Sequence, residues 1–415
     1  MLKNNIFREI SDEQFLEIAS NAVEGDWQQT LEMRNYLHSS NWDTYLMGLV
    51  DENNNPIMAS LIFGKKIFAG YRMELTHGPL YKEFSMDNYV EYLEGLKKFA
   101  KEKNALEFYI RPNVTFQMFN DQGETTSESN DMFLEMMEKE GFKKIPSDDM
   151  NNYEWRYVKN LNDFDQKTLF KSFTKDGQYS IKKTKQFGVR VRSLSYEELP
   201  NFKKVTEHTA ERRGYDDKSL EYYQDIYNIF GDKAEFLVAE INLKDYKDNL
   251  IANQNDLKTK LADIEEFLVK TPNSRKKNNQ KKEVVSEIST YDKRISEADE
   301  LIEEHGKNDI LLSVALFIYS STETVYLFSG TYDKYKRFYA PFAIQEYALN
   351  KTLANNVPVY NFYGISGKFD GSDGVLGFKT NFSGYITQKV GEFVYYPKPA
   401  KKKVIDFAKS ITGRN

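Results

Sequence analysis

Val359-Tyr-Asn-Phe-Tyr-Gly-Ile-Ser-Gly-Lys-Phe369, followed by Asp370-Gly-Ser-Asp-Gly-Val-Leu-Gly-Phe-Lys379-Thr-Asn-Phe382, decides how the rest of this chain is read. A short apolar strand runs into a glycine-rich turn. The pair Phe378-Lys379 then stands on the next apolar segment, read as a strand. Glycine lets a backbone approach a ligand closely and adopt conformations closed to other residues. The pattern implies a ligand wall with one cation at its side.

Upstream of this run, strands and helices alternate, which implies an α/β protein. Ser11 to Ala22 reads as a helix, with Ser11 and Gln14 spaced as a capping box. Thr44–Val50 and Pro56–Ile67 read as a hairpin across Asp51-Glu-Asn-Asn-Asn55. Asn88–Lys103 and Asn130–Glu140 read as helices, Ala105–Ile110 as a buried strand. A second block begins near Asn152. It offers a strand at Tyr153–Val158, one lysine-rich helix over Thr168–Phe187, a strand at Val189–Arg192, helices at Glu197–Arg213 and Lys218–Phe230, and a strand at Ala234–Ile241. The pattern resumes at Ile310–Ser320 and Thr324–Gly330. The two blocks are candidates for diverged structural copies.

Between them lies an insertion, residues 242–307. Leu243, Leu250, Leu257 and Ile264 recur every seventh residue, and Val284, Ile288, Tyr291, Ile295, Ala298 and Ile302 recur at steps of four and three. A breaker run from Thr271 to Lys282 separates them. Two heptad-like helices around a breaker predict an antiparallel coiled-coil hairpin, each arm reaching about 40 Å at 1.5 Å per residue. Its tip carries Arg275, Lys276, Lys277, Lys281 and Lys282, which read either as a solvated turn or as a contact for phosphates of RNA or an anionic membrane surface.

Composition narrows the chemistry. The chain of 415 residues has no cysteine, so disulfides, thiolate nucleophiles and cysteine zinc sites are excluded. Its net charge of −6 argues against a general nucleic-acid coat. Neither an apolar leader at Met1 nor an apolar run of about 18 residues is present, so a cytoplasmic protein is expected, with peripheral membrane contact left open. His38, His77, His208 and His305 lie far apart, and no metal site is expected. Lys368 replaces the last glycine of a nucleophile elbow, and Phe369 replaces the hydroxyl residue of a P-loop. What remains is a site of glycines, tyrosines and a lysine. It suits a reaction that needs positioning and charge stabilisation, such as attack of an amine on an activated ester.

These motifs resemble the FemABX family of non-ribosomal peptidyltransferases. The resemblance rests on Tyr326-Leu-Phe-Ser-Gly330-Thr, expected to form a turn, on Phe338-Tyr-Ala-Pro-Phe-Ala-Ile-Gln345, on Asn361-Phe-Tyr-Gly-Ile-Ser-Gly-Lys-Phe369 and on Gly377-Phe-Lys379. Lys182-Lys-Thr-Lys-Gln-Phe-Gly188 and the inserted arm look like the family too. The resemblance implies two GNAT-like α/β domains: residues 1–148 with a returning C-terminal helix at 398–415, and residues 149–397 carrying the arm. It implies transfer of an amino acid of the Gly, Ala or Ser class from aminoacyl-tRNA to an amine of a lipid-linked or UDP-linked muropentapeptide or its growing bridge, with no cofactor. Lys379 would stabilise the oxyanion or the tRNA terminus, and Phe378 would wall the tRNA end. Arg34, Arg212, Arg213 and Tyr215 fall near the family's diphosphate contacts, although Leu37 stands where a lysine is usual. Tyr332, Tyr335, Tyr363 and Gly364 complete the expected substrate wall. An acyl-CoA N-acyltransferase and a non-enzymatic coiled-coil RNA-binding protein are the alternatives. The first needs a glycine-rich pyrophosphate loop that the sequence lacks.

Overall fold

The computed structural model describes residues 5–67, 70–146 and 154–412. The first half runs β1 (Ile6–Glu9), α1 (Asp12–Ala19), α2 (Leu31–Ser39), β2 (Asp43–Val50), β3 (Pro56–Ile67), β4 (Gly70–Thr76), β5 (Leu80–Tyr81), α3 (Met86–Glu102), β6 (Glu107–Arg111), β7 (Thr115–Phe119), α4 (Asp131–Lys139) and β8 (Lys143–Lys144). The Ser11–Gln14 capping box opens α1. In α3, Tyr89, Tyr92, Leu93, Leu96 and Ala100 fall on one face and are buried, as a 3.6-residue period requires.

The second half runs β9 (Trp155–Asn160), α5 (Gln166–Ser172), α6 (Lys175–Phe187), β10 (Arg190–Ser193), α7 (Leu199–Arg213), α8 (Leu220–Phe230), β11 (Ala234–Asn242), α9 (Leu243–Lys270), α10 (Arg275–His305), β12 (Asp309–Tyr319), β13 (Glu323–Thr331), α11 (Ala340–Ala354), β14 (Val359–Gly364), α12 (Gly374–Lys379), β15 (Tyr385–Lys389), β16 (Phe393–Tyr395) and α13 (Pro399–Thr412). The sheets are ordered β1-β2-β3-β4-β6-β16-β8, with β5 on β3, and β10-β11-β12-β13-β14-β9-β15-β7.

The halves share one plan. Each has a strand, two helices, three antiparallel strands, a helix, and a strand returning parallel to the third: β4 with β6, β13 with β14. Between them, Trp27, Met33 and Leu37 bury against Phe202, Tyr223 and Phe230 in one shared core. The expected division at 148/149 lies outside the described residues, and the sheets do not follow it. β7 is the last strand of the second sheet, and β16 sits between β6 and β8 in the first. Pro112 ends β6, and the Phe119 ring on β7 packs tilted against Trp155, 5.0 Å between centres.

The insertion forms two antiparallel helices between β11 and β12, where the first half has the β2–β3 turn. Gln254 Nε2 donates to Asp292 Oδ1 at 2.6 Å, Lys281 lies 2.7 Å from Glu265, and Lys247 pairs with Asp299, so one helix runs back along the other. Its base belongs to the second core through Leu243, Tyr246, Leu250, Ala298 and Leu301.

Several expectations need correction. The single helix over 168–187 is two, because Phe173 turns into the core and Thr174 caps a new helix by accepting the Gly177 N–H at 3.1 Å. The breaker at 271–282 shrinks to residues 271–274, since the Ser274 side chain caps α10. The five tip cations therefore occupy the first turns of α10. Gly330 makes no turn but lies inside β13, where a Cβ would sit 2.6 Å from the Val205 carbonyl oxygen of α7. Lys379 is on a helix, not a strand, because Asp373 Oδ1 accepts the N–H groups of Val375 and Leu376. The seating of Gly330 is testable. Gly330→Ala should cost about 1–3 kcal/mol through overpacking against α7, read as a lowered denaturant midpoint with unchanged m.

Candidate functional site

The second sheet opens where its parallel strands part. β13 and β14 pair only from Glu323–Val325 to Val359–Asn361. Past that point β14 slips register against β9 between Asn361 and Gly364. Tyr363 takes φ +65°, an uncommon value for a residue with a side chain. The Asn361 side chain holds this shape, accepting the Tyr363 N–H at 2.8 Å and donating to Glu323 Oε2 at 2.9 Å.

A cavity of about 550 Å³ lies at this opening, between the halves. Trp27, Thr76, His77, Arg111 and Pro112 line it from the first half; Lys218, Tyr222, Leu327, Phe328, Tyr363 and Lys389 line it from the second. Thr76 and Arg111 end the parallel pair β4/β6, so the cavity sits at the carboxyl ends of both parallel pairs, where open α/β sheets bind ligands.

Lys379 is 3% exposed. Its Nζ donates to the carbonyls of Tyr363, at 3.1 Å, and Gly364, at 2.5 Å. An ammonium has three donors, of which these two bonds use two. Burial pushes the lysine down to about 7; the Asp373 carboxylate opposes this, and the Arg213 charge adds to it. Phe378 is half-buried, its ring 5.0 Å from Phe342 and 5.5 Å from Phe382.

Behind the cavity is a buried ionic seam. His77 Nδ1 lies 2.9 Å from Asp26 Oδ2, and Arg156 Nη2 lies 3.3 Å from the same oxygen. Arg156 also donates to His77 Nε2 at 3.0 Å. That network assigns the proton to Nδ1 of a neutral imidazole. Burial pushes His77 below its ordinary value, Asp26 pulls the other way, and Arg156 reinforces the fall. Glu323 is pushed up to about 8 by burial and by Asp26. Among the described residues no group of three or more His, Asp or Glu is placed to hold a metal ion.

The expected site residues divide. Lys379, Phe378, Tyr363 and Gly364 come together. Arg213 on α7 lies near enough that its charge acts on Lys379, Tyr326 and the half-exposed Tyr215. Arg34 is elsewhere, held bidentate by Asp12 at 2.6 and 2.7 Å. Arg212 pairs with Asp333 at 3.0 Å. Tyr332 packs 5.0 Å from His208, and the Tyr335 hydroxyl meets His305 Nε2 at 2.9 Å, at the foot of the arm. Arg275, Lys276 and Lys282 are exposed far along the arm, Lys277 lies over Phe267, and Lys281 pairs with Glu265. The cavity residues that sequence reasoning missed, His77, Arg111, Lys218 and Tyr222, lie at element ends or on the exposed face of a helix. The local signals were Pro112 after Arg111 and Ser219, an N-cap, after Lys218.

Two duplicated α/β halves, a ligand-sized cavity between them and a buried lysine at a parted sheet place the chain among acyl-transfer folds. It belongs to the FemAB family, whose profile matches residues 10–410. It is 30% identical over 376 residues to "Aminoacyltransferase FemA" of Staphylococcus aureus (strain bovine RF122 / ET3-1), covering 88% of each chain. The same protein of strain MW2 is 29% identical over 376 residues, with the same coverage. The solved structure titled "Crystal structure of FemX" superposes with a TM-score of 0.74 at 18% identity, over 96% of this chain and 99% of that one, and shares the fold. The chain is an aminoacyltransferase. No helix among the described residues is long and apolar enough to cross a membrane.

The depressed Lys379 value sets a stability signature. Between about 7 and the ordinary 10.5 the unfolded lysine holds a proton that the folded one has released, so stability rises with pH in that window, by up to about 1.4 kcal/mol per unit. Below about 7 both states are protonated and the contribution is flat. Lys379→Met removes it, so the wild-type minus variant difference in urea-derived stability should climb from pH 7 to 10.

Proposed function

We propose that this aminoacyltransferase moves an amino acid of the Gly, Ala or Ser class from aminoacyl-tRNA to an amine of a peptidoglycan precursor peptide. The acceptor occupies the cavity between the halves, and the aminoacyl ester meets it beside Lys379. The observation that carries this reading is the buried Lys379 ammonium, held on the Tyr363 and Gly364 carbonyls with one donor to spare. The acceptor ammonium loses a proton to solvent. The freed lone pair then attacks the ester carbonyl and forms the C–N bond. The tetrahedral oxyanion accepts a hydrogen bond from the third Lys379 N–H, and the C–O bond to the ribose breaks as the ribose oxygen takes the proton that the attacking nitrogen sheds. Phe378 walls the tRNA end. Arg213 and Tyr215 border the same place.

Arg34 and Arg212 are each committed to a carboxylate, which speaks against their holding the acceptor diphosphate as free donors. Lys218, on the cavity, takes that role in this reading, whereas Arg111, also on the cavity, is itself held by Glu392 at 2.6 Å. The basic start of α10 is the proposed second contact for the tRNA, and the reaction is placed in the cytoplasm, at or near the membrane face for a lipid-linked acceptor. An acyl-CoA reading is disfavoured at α11. A pyrophosphate there would need free N–H groups at the helix start, and the chain enters through Tyr339 with Pro341 in the first turn.

The test supplies purified protein with labelled aminoacyl-tRNAs and either UDP-linked or lipid-linked muropentapeptide. Label should pass to one acceptor, and Lys379→Met should lower kcat by about 10²–10³-fold, the scale of one lost oxyanion donor. Lys218→Ala should raise the acceptor KM about tenfold with kcat kept, as loss of a charge-assisted contact does. No transfer from any charged tRNA to either acceptor would overturn the reading.

A further inference from the structure

The turn that follows Lys379 is gripped from behind by two buried polar residues and a half-buried carboxylate that the reaction does not use. Tyr157 and Lys159 lie two apart on β9 and therefore project to the same face of the sheet. Lys159 is 2% exposed. Its Nζ donates to the Ser383 carbonyl at 2.8 Å and lies 4.7 Å from the Phe164 ring centre. The Tyr157 hydroxyl accepts the N–H of Gly384, the next residue, at 2.7 Å and donates to Asp121 Oδ1 at 3.0 Å. Both polar groups of the Ser383–Gly384 peptide are thus held by one strand.

Two further observations show that this peptide is seated rather than merely nearby. Ser383 takes φ +52°, a conformation that surroundings must impose on a residue with a side chain. A Cβ on Gly384 would collide with the Val158 carbonyl of β9. The other end of the segment is fixed by Lys379 itself, on Tyr363 and Gly364. A buried lysine is costly to desolvate, and a methionine would fill the same space without that cost. What lysine adds at position 159 is a donor aimed at one carbonyl.

We propose that Lys159, Tyr157 and Asp121 form a brace that positions the Phe378–Lys379 segment for aminoacyl transfer through the Ser383–Gly384 peptide. Lys159 holds the carbonyl, Tyr157 holds the N–H, and Asp121 orients the Tyr157 hydroxyl. They are positioning residues, since none touches the cavity. Their catalytic consequence rests on the function proposed above, but the brace itself does not.

The experiment reads Lys379 directly. Full-length wild type, Lys159→Met, Tyr157→Phe and a control, Leu96→Ala in the first-half core, are pulsed with an acetylating ester, and mass spectrometry follows acetylation of Lys379 against exposed Lys244. Lys379 should label slowly in the wild type and in the control. It should label about tenfold faster in Lys159→Met, the change that a 1.4 kcal/mol easier local opening produces, and by a smaller factor in Tyr157→Phe. In the transfer assay both variants should lose kcat or raise the aminoacyl-tRNA KM, with the acceptor KM unchanged. A general loss of stability would raise Lys379 labelling in Leu96→Ala as well, and that result overturns the brace. Wild-type protection of Lys379 in folded Lys159→Met and Tyr157→Phe overturns it too. If Lys159→Met does not fold, Tyr157→Phe, which removes one hydroxyl, decides alone. Faster labelling with no transfer activity in the wild type would uphold the brace and overturn the proposed reaction.

Discussion

An ammonium that is 3% exposed must find its acceptors inside the protein, and Lys379 finds them on two consecutive backbone carbonyls. Carbonyls inside a sheet are normally spent on neighbouring strands. Those of Tyr363 and Gly364 point to the lysine because β14 has slipped its register there and β13 has already left it. Asn361 enforces the slip by turning its amide onto the Tyr363 N–H and its other end onto Glu323. The unusual Tyr363 backbone, the short parallel pairing and the buried cation are one constraint seen from three sides. Removing any of them leaves a buried polar group without a partner.

The duplicated architecture shows what that constraint changes. In the first half the parallel strands stay paired for five residues, Arg72–Thr76 with Glu107–Arg111, and the sheet is closed. In the second half pairing ends after three. The closed copy still contributes: Arg111, at the end of its parallel pair, and His77, just past it, form the opposite wall of the cavity. The halves differ as sharply at the next connection. Asp51–Asn55 turn tightly between β2 and β3, whereas the matching hairpin β11–β12 carries the whole helical arm. Asn242 and Asp309 still face each other across that hairpin, with Asn242 Nδ2 donating to Asp309 Oδ1 at 2.8 Å, so the arm leaves and re-enters the sheet at one point. A long insertion there is compatible with the fold because it begins and ends on an existing ladder pair.

The parts of this structure legible in sequence are those set by local periodicity and capping. β3 starts and stops where alternation and Pro56 place it, α1 opens on its capping box, and the two arm helices follow their apolar repeats. The parts that were not legible depend on distant partners. β7 and β16 change sheets because of Trp155 and β6, which no window around either strand contains. Arg34 looks like a free cation until Asp12 of another helix is brought to it. Gly374–Lys379 reads as turn or strand because two glycines depress helix propensity, and only the Asp373 cap reverses that. The helix break at Phe173 was missed for a related reason. A lysine-rich stretch keeps helical propensity across the break, while Thr174 spends its side chain on starting a new helix. Phe378 and Lys379 were found because residue type alone marks them, and their burial was not because it is tertiary.

The seam behind the cavity bears on how protons move. His77 has the side chain most often used as a base, yet both its nitrogens are committed, Nδ1 to Asp26 and Nε2 to Arg156. Burial pushes the nearby Tyr326 and Tyr215 above their ordinary range, so neither ionises at neutral pH. Glu323, pushed up to about 8, lines a smaller space behind Arg156 rather than the main cavity. Of these groups, Lys379 holds the two carbonyls of the parted sheet and changes charge near neutrality. Its charged form offers the oxyanion an ammonium. Its neutral form offers only an amine. In the proposed reaction, rate comes from where the site holds charge, and the pH response follows the occupancy of one lysine rather than the ionisation of a catalytic base.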